Sequence, residues 1–328
     1  MGIKGTFKKQ MLKAFVVPKM NKVIKEERIL FEKANSIKSI ENSPNRFEIL
    51  YEMINFDSDN AKLPGFPNTV PIIGNSILDI VTTLKSLDAS HKDFKKKISE
   101  KDLEDLENYC ITIGVGSIGY TRIPRGFIFK GYAVQYPNAI VFTMEMNKDV
   151  LDQTPSHKTG IMVHETYNKL GKISLKITEF LRNRGYNAHS GHPLMGQVLY
   201  PALAESAGLG YHGKHGLLIT PEFGPRVRLA AVYTDIENFP VVTQNPHVWI
   251  EDFCNRCKLC VRKCPGKAIY VENIEYGEGL QKTIDSNRCF KVFSEQHGCS
   301  VCLKNCPFNQ IGYDKCKKGV PAYNLLEE

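Results

Sequence analysis

Eight of the ten cysteines lie in one short region and follow two related patterns. The stretch CNRCKLCVRKCP has the pattern C-x2-C-x2-C-x3-C-P, and its cysteines are Cys254, Cys257, Cys260 and Cys264. The second set, again followed by proline, comprises Cys289, Cys299, Cys302 and Cys306. Thiolates are soft ligands that favour iron–sulfur clusters over hard cations. The first spacing is typical of bacterial ferredoxins, in which the fourth cysteine binds the other cluster.

The two patterns predict two [4Fe–4S] clusters that exchange one ligand. One cluster would be held by Cys254, Cys257, Cys260 and Cys306, and the other by Cys289, Cys299, Cys302 and Cys264. Structural zinc is the alternative, although zinc sites usually combine C-x2-C pairs, which these patterns fit poorly. Nine residues separate Cys289 from Cys299, so Cys289 departs from the simplest pattern. Cys316 could replace Cys289, but its surroundings resemble an exposed tail.

The net charge of +8 is concentrated at the N-terminus. Residues 1–40 contain nine lysines and Arg28 against three glutamates, which gives 9 + 1 − 3 = +7, so the rest of the chain is nearly neutral. This distribution argues against a nucleic-acid-binding surface spread over the main body. The basic N-terminus fits peripheral contact with an anionic membrane, or a helix that packs on the body, which we favour.

The cysteine content also bears on the compartment. No secretory or twin-arginine signal is recognisable, and no apolar run is long enough to span a bilayer. The best candidate, residues 70–84, is interrupted by Gly74, Asn75 and Asp79. Clustered cysteines in such a chain indicate a metal site rather than disulfides. The sequence therefore predicts a cytoplasmic protein.

Hydrophobic periodicity predicts a mixed α/β (α+β) fold. A helix should begin at Ser99, because Ser99 and Asp102 approximate a capping box, and another should end at Gly185. Further helices are expected within residues 42–56 and 194–208. Strands are expected at 111–123, 138–146, 216–220 and 226–235. The GVGSIG stretch (residues 114–119) resembles a dinucleotide-binding loop, but a poor helix follows it, so we interpret it as a turn.

The stretch AGLGYHGKHGLLITPEFGPRVR (residues 207–228) combines glycines with basic side chains. Glycines allow a backbone to approach a large flat or anionic ligand closely. The basic residues among them are His212, Lys214, His215, Arg226 and Arg228. A helix end followed by a solvent-facing hairpin explains the same pattern equally well.

This glycine-rich stretch, followed by the two cysteine motifs, resembles the cobalamin-dependent iron–sulfur reductases, which include reductive dehalogenases and epoxyqueuosine reductases. The likeness runs over about residues 109–309. EFGPRVRLAAVYTD and ITEFLRNRGYNA look more like the dehalogenase branch, and AGLGYHGKH looks closer to the epoxyqueuosine branch. The resemblance implies a nitroreductase-like corrinoid-binding core and a C-terminal two-cluster ferredoxin-like domain. It implies that the corrinoid is contacted by Gly208, Gly210, Gly213, Lys214, His215 and Arg228.

The resemblance also implies candidate catalytic residues. In the dehalogenase branch a tyrosine donates a proton with the help of a basic residue, and Tyr167 and Arg226 fall near those places. In the epoxyqueuosine branch an acidic residue is the donor, whereas this chain has His192 near that place and no acid. Packing of Tyr167 on the core, and a loop role for His192, remain open.

We therefore predict a reductive dehalogenase-like oxidoreductase in which two [4Fe–4S] clusters relay electrons to a cobalamin. The expected partners are a small-molecule substrate and an electron donor such as a ferredoxin or flavodoxin. Epoxyqueuosine reduction in tRNA and a non-catalytic electron carrier are the alternatives. The expected domains are a basic helical extension (1–100), a corrinoid-binding core (101–245) and a ferredoxin-like domain (246–328).

Overall fold

The computed structural model describes residues 3–47, 52, 62, 64–85, 94–275 and 280–319. Within these ranges the α-helices are α1 (Ile3–Glu32), α2 (Thr69–Lys85), α3 (Glu100–Thr112), α4 (Lys148–Leu151), α5 (His157–Asn183), α6 (Tyr200–Ser206), α7 (Trp249–Cys257), α8 (Leu259–Lys263), α9 (Ser286–Glu295), α10 (Val301–Lys304), α11 (Pro307–Gln310) and α12 (Tyr313–Lys317). The strands are β1 (Ile37–Lys38), β2 (Ile118–Arg122), β3 (Ala133–Val134), β4 (Asn138–Glu145), β5 (Ala188–Gly191), β6 (Tyr211–His212), β7 (Leu218–Ile219), β8 (Val227–Thr234), β9 (Ile269–Glu275) and β10 (Gln281–Ile284).

A four-stranded antiparallel sheet with the order β2-β4-β8-β5 forms the centre of the fold. Successive side chains of β4 point to opposite faces of the sheet, and both faces are covered. Ile140 and Phe142 pack with α3 and α5 on one side, whereas Ala139 and Val141 pack with α6 on the other. The chain therefore has the mixed α/β class that the sequence predicts.

Local signals set the ends of the helices as expected. Ser99 Oγ accepts the N–H of Asp102 at 3.1 Å and caps α3, and Ser156 Oγ caps α5 by accepting the N–H of Thr159 at 3.2 Å. Gly185, just after α5, has φ +81, a left-handed conformation that terminates helices. These ends fix α5 across the sheet.

Three predicted elements are shorter than expected. The strand expected at 111–123 is confined to β2, because α3 continues through Thr112. The helix expected within residues 194–208 is confined to α6, because Met195 has φ +63 and Val198 forms a bridge with Ile128. The strand expected at 216–220 is reduced to β7. The helix expected within residues 42–56 falls mainly outside the described residues.

The N-terminal helix packs against α2. Val16, Met20 and Val23 of α1 share a buried cluster with Ile73 and Ile77 of α2. This contact agrees with the packed helix that the sequence analysis favoured. No described helix is long and apolar enough to cross a membrane.

A buried ion pair joins α1 to the segment that follows it. Arg46 Nη1 lies 2.8 Å from Glu27 Oε1, and the two side chains are only 6% and 4% exposed. Arg46 also donates to the carbonyl of Met195 at 3.0 Å, and Gln197 Nε2 donates to Glu27 Oε1 at 3.1 Å. Removing one partner of such a pair leaves a buried charge uncompensated.

We expect the Glu27→Ala substitution to lower the free energy of unfolding by about 3–5 kcal/mol, because Arg46 then loses its carboxylate inside the protein. Anaerobic denaturant titration followed by circular dichroism would measure the change. The matched control is Glu32→Ala, which removes an exposed pair with Arg28 whose side chains are 65% and 80% exposed. The control substitution should leave the denaturant concentration at the midpoint of unfolding unchanged. Equal effects of the two substitutions would contradict the role given to Glu27.

Candidate functional site

The structure gathers the eight motif cysteines into two groups. We call Cys254, Cys257, Cys260 and Cys306 the first thiol group, because these four side chains line one small cavity. We call Cys264, Cys289, Cys299 and Cys302 the second thiol group, because burial and then the proximity of the other three thiols raise the pKa of Cys302. Each group thus contains one cysteine from the other motif, as the crossed arrangement requires. The assignment of the thiols as cluster ligands stays a prediction.

Backbone N–H groups point at the sulfur atoms. In the first thiol group burial raises the pKa of Cys257, Cys260 and Cys306, and the backbones of Leu259, Val261 and Phe308, respectively, oppose that rise. In the second, the N–H of Ala268 donates to Cys264 Sγ at 3.3 Å. Hydrogen bonds to sulfur help to stabilise bound iron–sulfur clusters. The donor set and its surroundings therefore fit such a cluster.

Burial keeps the free thiols protonated. It raises the pKa of Cys254 and of Cys260 to about 12 and that of Cys289 to about 11. Only the thiolate binds metal, so cluster assembly must release these protons.

Within the described ranges, no group of three or more His, Cys, Asp or Glu side chains is arranged to hold a single metal ion. A four-iron cluster spreads its thiolates farther apart than one ion does.

Cys316 differs from its predicted environment. It is only 1% exposed and packs beside the first thiol group, where it interacts with Cys254 and Cys257. It therefore does not lie in an exposed tail, and its position does not suit a substitute for Cys289. Cys316 and Tyr313 are three residues apart on one buried face of α12, a spacing that could have revealed this burial.

A cavity of about 740 Å³ opens beside the second thiol group. Its wall includes residues 280–287, which lead directly into α9, the helix that carries Cys289. Cys302 packs against the same buried cluster as Tyr167 and Leu217, and both of these residues line the cavity. The second thiol group is therefore next to the cavity wall.

Tyr167 and Arg228 meet in this cavity. The Arg228 guanidinium carbon lies 4.7 Å from the centroid of the Tyr167 ring. Tyr167 is presented by α5 and Arg228 by the start of β8. The Nε of Arg228 is buried and has no hydrogen-bond partner among the described residues. A permanent positive charge therefore lies over a tyrosine at the edge of a large cavity.

His164 lies one helical turn before Tyr167 on α5. Burial, and then the charge of Arg228, lower the pKa of His164 to about 4. His164 is therefore neutral at neutral pH, so Arg228 supplies the positive charge here. The sequence analysis missed His164, although its three-residue spacing from Tyr167 on a helix was a usable signal.

Arg226 does not lie where the sequence analysis placed it. Its Nη1 donates to Asn309 Oδ1 at 3.0 Å and its Nη2 to Glu145 Oε1 at 2.9 Å, and it is absent from the described cavity lining. It ties β4 to α11, which follows Cys306. The basic residue near Tyr167 is Arg228 instead.

His192 is also placed differently from its predicted catalytic position. Its ring is buried against α5, where a Cβ at Gly171 would lie 2.1 Å from Nε2. Its Nδ1 accepts the N–H of Leu194 at 3.1 Å, and burial lowers its pKa to about 4. The neighbouring Pro193 and Leu194 line the cavity, but His192 does not.

In the glycine-rich stretch, the glycines pack against other parts of the protein, whereas the basic residues Lys214 and His215 lie beside the first thiol group. A Cβ at Gly210 would lie 2.1 Å from the carbonyl oxygen of Ile219, and one at Gly208 would lie 2.9 Å from Val242. A Cβ at Gly213 would lie 2.7 Å from the His215 ring. These glycines thus face protein atoms instead of the large cavity.

Lys214 and His215 are buried beside the first thiol group. Of the six residues assigned to corrinoid contact, only Arg228 lines the large cavity. Other parts of its wall come from regions that the sequence analysis did not single out. These parts include Arg46, Met195, Leu280 and Thr283.

We expect cysteine replacements to reveal the crossed arrangement through iron content. Cys306→Ala should cost about four of about eight irons, because it removes a ligand of the first cluster. When Cys254→Ala is added to Cys306→Ala, the iron content should not fall further, because both cysteines belong to the first thiol group. When Cys302→Ala is added to Cys306→Ala, both clusters should be lost. Iron and acid-labile sulfide would be measured after anaerobic reconstitution.

The matched control is Cys316→Ala, which should retain the full iron content. If the Cys306→Ala, Cys302→Ala double variant lost only one cluster, the crossed arrangement would be wrong.

Comparison with known proteins agrees with these features. The 4Fe-4S binding domain family matches residues 247–270. The tetrachloroethene reductive dehalogenase of Sulfurospirillum multivorans is 35% identical over 184 residues, which are 53% of this chain and 36% of that protein. The epoxyqueuosine reductase of Listeria monocytogenes is 32% identical over 126 residues, which are 36% of this chain and 31% of that protein. The matched part of the chain thus spans about a third of the length of these relatives.

The fold is also similar to that of a reductive dehalogenase. The solved structure of a catabolic reductive dehalogenase superposes with a TM-score of 0.64 at 18% identity, and it covers 83% of this chain and 40% of the other. The chain is thus similar in sequence to members of both the reductive dehalogenases and the epoxyqueuosine reductases, and it shares its fold with a reductive dehalogenase.

Proposed function

We propose that this chain is a corrinoid- and iron–sulfur-dependent reductase that removes halide from a small organic molecule. The observation that carries the proposal is the pairing of Tyr167 with Arg228 in the large cavity, beside the second thiol group. A proton donor, a fixed positive charge and an electron source thus surround one space.

The cavity supports a large cofactor. Its volume of about 740 Å³ lies in the upper part of the range of about 300–1,000 Å³ that is usual for ligand sites. Aliphatic side chains such as Leu217, Val227 and Leu280 line it together with many polar and charged residues, among them Arg228 with its unpaired Nε. This lining fits a broad ring that carries polar substituents, such as a corrinoid.

The reaction consumes two electrons and one proton: a carbon–halogen bond breaks, a carbon–hydrogen bond forms, and halide leaves. The corrinoid, when bound, supplies a strongly reducing and nucleophilic cobalt centre. Two [4Fe–4S] clusters held by the thiol groups would deliver the electrons one at a time. A ferredoxin or flavodoxin is a suitable external donor.

The protein supplies the proton from the Tyr167 hydroxyl. Donation leaves a phenolate, and a nearby positive charge favours the charged form. Arg228 remains charged throughout, so it can stabilise the phenolate. Tyr167 and Arg228 are thus the proposed catalytic pair.

The electron path follows from the positions of the thiol groups. Cys302 of the second group lies near Tyr167, and it also interacts with Cys260 of the first group. The first cluster would therefore receive electrons, and the second would pass them towards the cavity.

We expect Tyr167→Phe to lower the rate of halide release by about 10²–10⁴-fold, which is the usual contribution of general acid catalysis. Arg228→Met should also lower the rate, and Arg228→Lys should recover part of it because the charge is retained. Halide release from chlorinated and brominated substrates would be measured with the reconstituted protein and a chemical reductant.

The matched control is Tyr109→Phe, because Tyr109 stacks on Phe180 and is absent from the described cavity lining. Its rate should equal that of the unmodified protein. Unchanged halide release in Tyr167→Phe would refute the role of Tyr167. Reduction of epoxyqueuosine in tRNA without any halide release would instead place the chain in the other functional branch.

A further inference from the structure

The two basic residues of the GKHG segment lie beside the first thiol group. Lys214 and His215 are 5% and 3% exposed, and both line the small cavity that contains the four thiols. Cys254, Cys257, Cys260 and Cys306 line this same cavity. The segment therefore faces the first cluster site.

The hydrogen bonding of His215 defines which ring nitrogen carries a proton. Its Nδ1 accepts the N–H of Leu217 at 3.2 Å, so Nδ1 must present a lone pair. The neutral ring then carries its proton on Nε2. That nitrogen is buried and has no partner in the described part of the chain. The Nε2–H of His215 is thus an unpaired hydrogen-bond donor at the wall of the small cavity.

Lys214 brings a buried ammonium group to the same wall. Its Nζ lies 3.4 Å from Asn255 Oδ1, which is a neutral partner. An ammonium group that is removed from water is stabilised by a negatively charged neighbour. An iron–sulfur cluster held by four thiolates carries a net negative charge and would be such a neighbour.

We propose that Lys214 Nζ and the His215 Nε2–H donate hydrogen bonds to sulfur atoms of the first [4Fe–4S] cluster and raise its reduction potential. The inference rests on the clusters of the proposed function but not on the corrinoid. Reduction adds one electron to a cluster that is already negative. A nearby ammonium group and an N–H donor favour the reduced form for that reason. The effect favours electron entry at the first cluster.

The test uses the full chain reconstituted anaerobically with iron and sulfide, without corrinoid. Redox titration followed by electron paramagnetic resonance would give the potentials of both clusters. In Lys214→Met and in His215→Phe, we expect the ratio of reduced to oxidised first cluster at a fixed potential to fall about tenfold, equivalent to about 59 mV for one electron. The second cluster should titrate unchanged. His215→Gln, which keeps an N–H donor, should recover most of the ratio.

The matched control is Lys317→Met, which removes an exposed lysine next to Cys316 on α12. Solvent screens this charge, so the potentials should not move. Protein that keeps about eight irons with unchanged potentials in both Lys214→Met and His215→Phe would overturn the proposal. In a parallel reconstitution with cobalamin, weaker cobalamin binding by both variants at unchanged potentials would also overturn the proposal and would return the two residues to corrinoid contact.

A measurement on the unmodified protein covers the case in which the variants do not assemble clusters. With ¹⁵N-labelled histidine, pulsed electron paramagnetic resonance of the reduced protein should show a nitrogen coupling to one cluster. Absence of that coupling would contradict the hydrogen bond from His215. These results are independent of halide release, so a failure here is distinguishable from a failure of the proposed function.

Discussion

The exchange of one cysteine between the two thiol groups is the constraint on which the rest of the site depends. Cys306 lies with the cysteines of the first motif, and Cys264 lies with those of the second. Neither group is complete until both halves of the C-terminal region have folded together. The exchange brings the groups side by side, since Cys260 and Cys302 interact, and it fixes α9 and the cavity wall that precedes it.

Strand β8 connects this region to the central sheet. Arg226, just before the strand, bonds to Asn309 three residues after Cys306, and so joins the first thiol group to the core. Arg228, two residues later, reaches Tyr167 in the cavity. A short segment thus carries one arginine that holds two parts of the protein together and another that serves the proposed chemistry. The difference between them lies in their partners and not in their residue type.

Much of the fold could be predicted because its signals are local. The cap at Ser99, the left-handed Gly185 and the apolar run of β4 each depend on neighbouring residues, and the structure confirms all three. The composition of the two thiol groups could be predicted as well, because a C-P motif with fixed spacing constrains its partners.

The remainder of the site depends on contacts between distant residues. Glycines in residues 207–228 fit either close approach to a ligand or tight packing, and only the position of Ile219 shows that Gly210 serves packing. Similarly, no local pattern separates Arg226 from Arg228, because Glu145 and Asn309 lie more than 80 positions away from Arg226 in the sequence. The resemblance assigned Lys214 and His215 to corrinoid contact, but the structure places them beside the first thiol group instead of the large cavity.

The central claim is that one chain holds both the clusters and the corrinoid around the Tyr167–Arg228 pair. The most direct test is metal analysis after anaerobic reconstitution with iron, sulfide and cobalamin, followed by removal of unbound cofactor. The account predicts about eight irons and one cobalt per chain, from two four-iron clusters and one corrinoid. Protein that retains about eight irons and no cobalt would contradict it and would indicate an electron carrier without a corrinoid site.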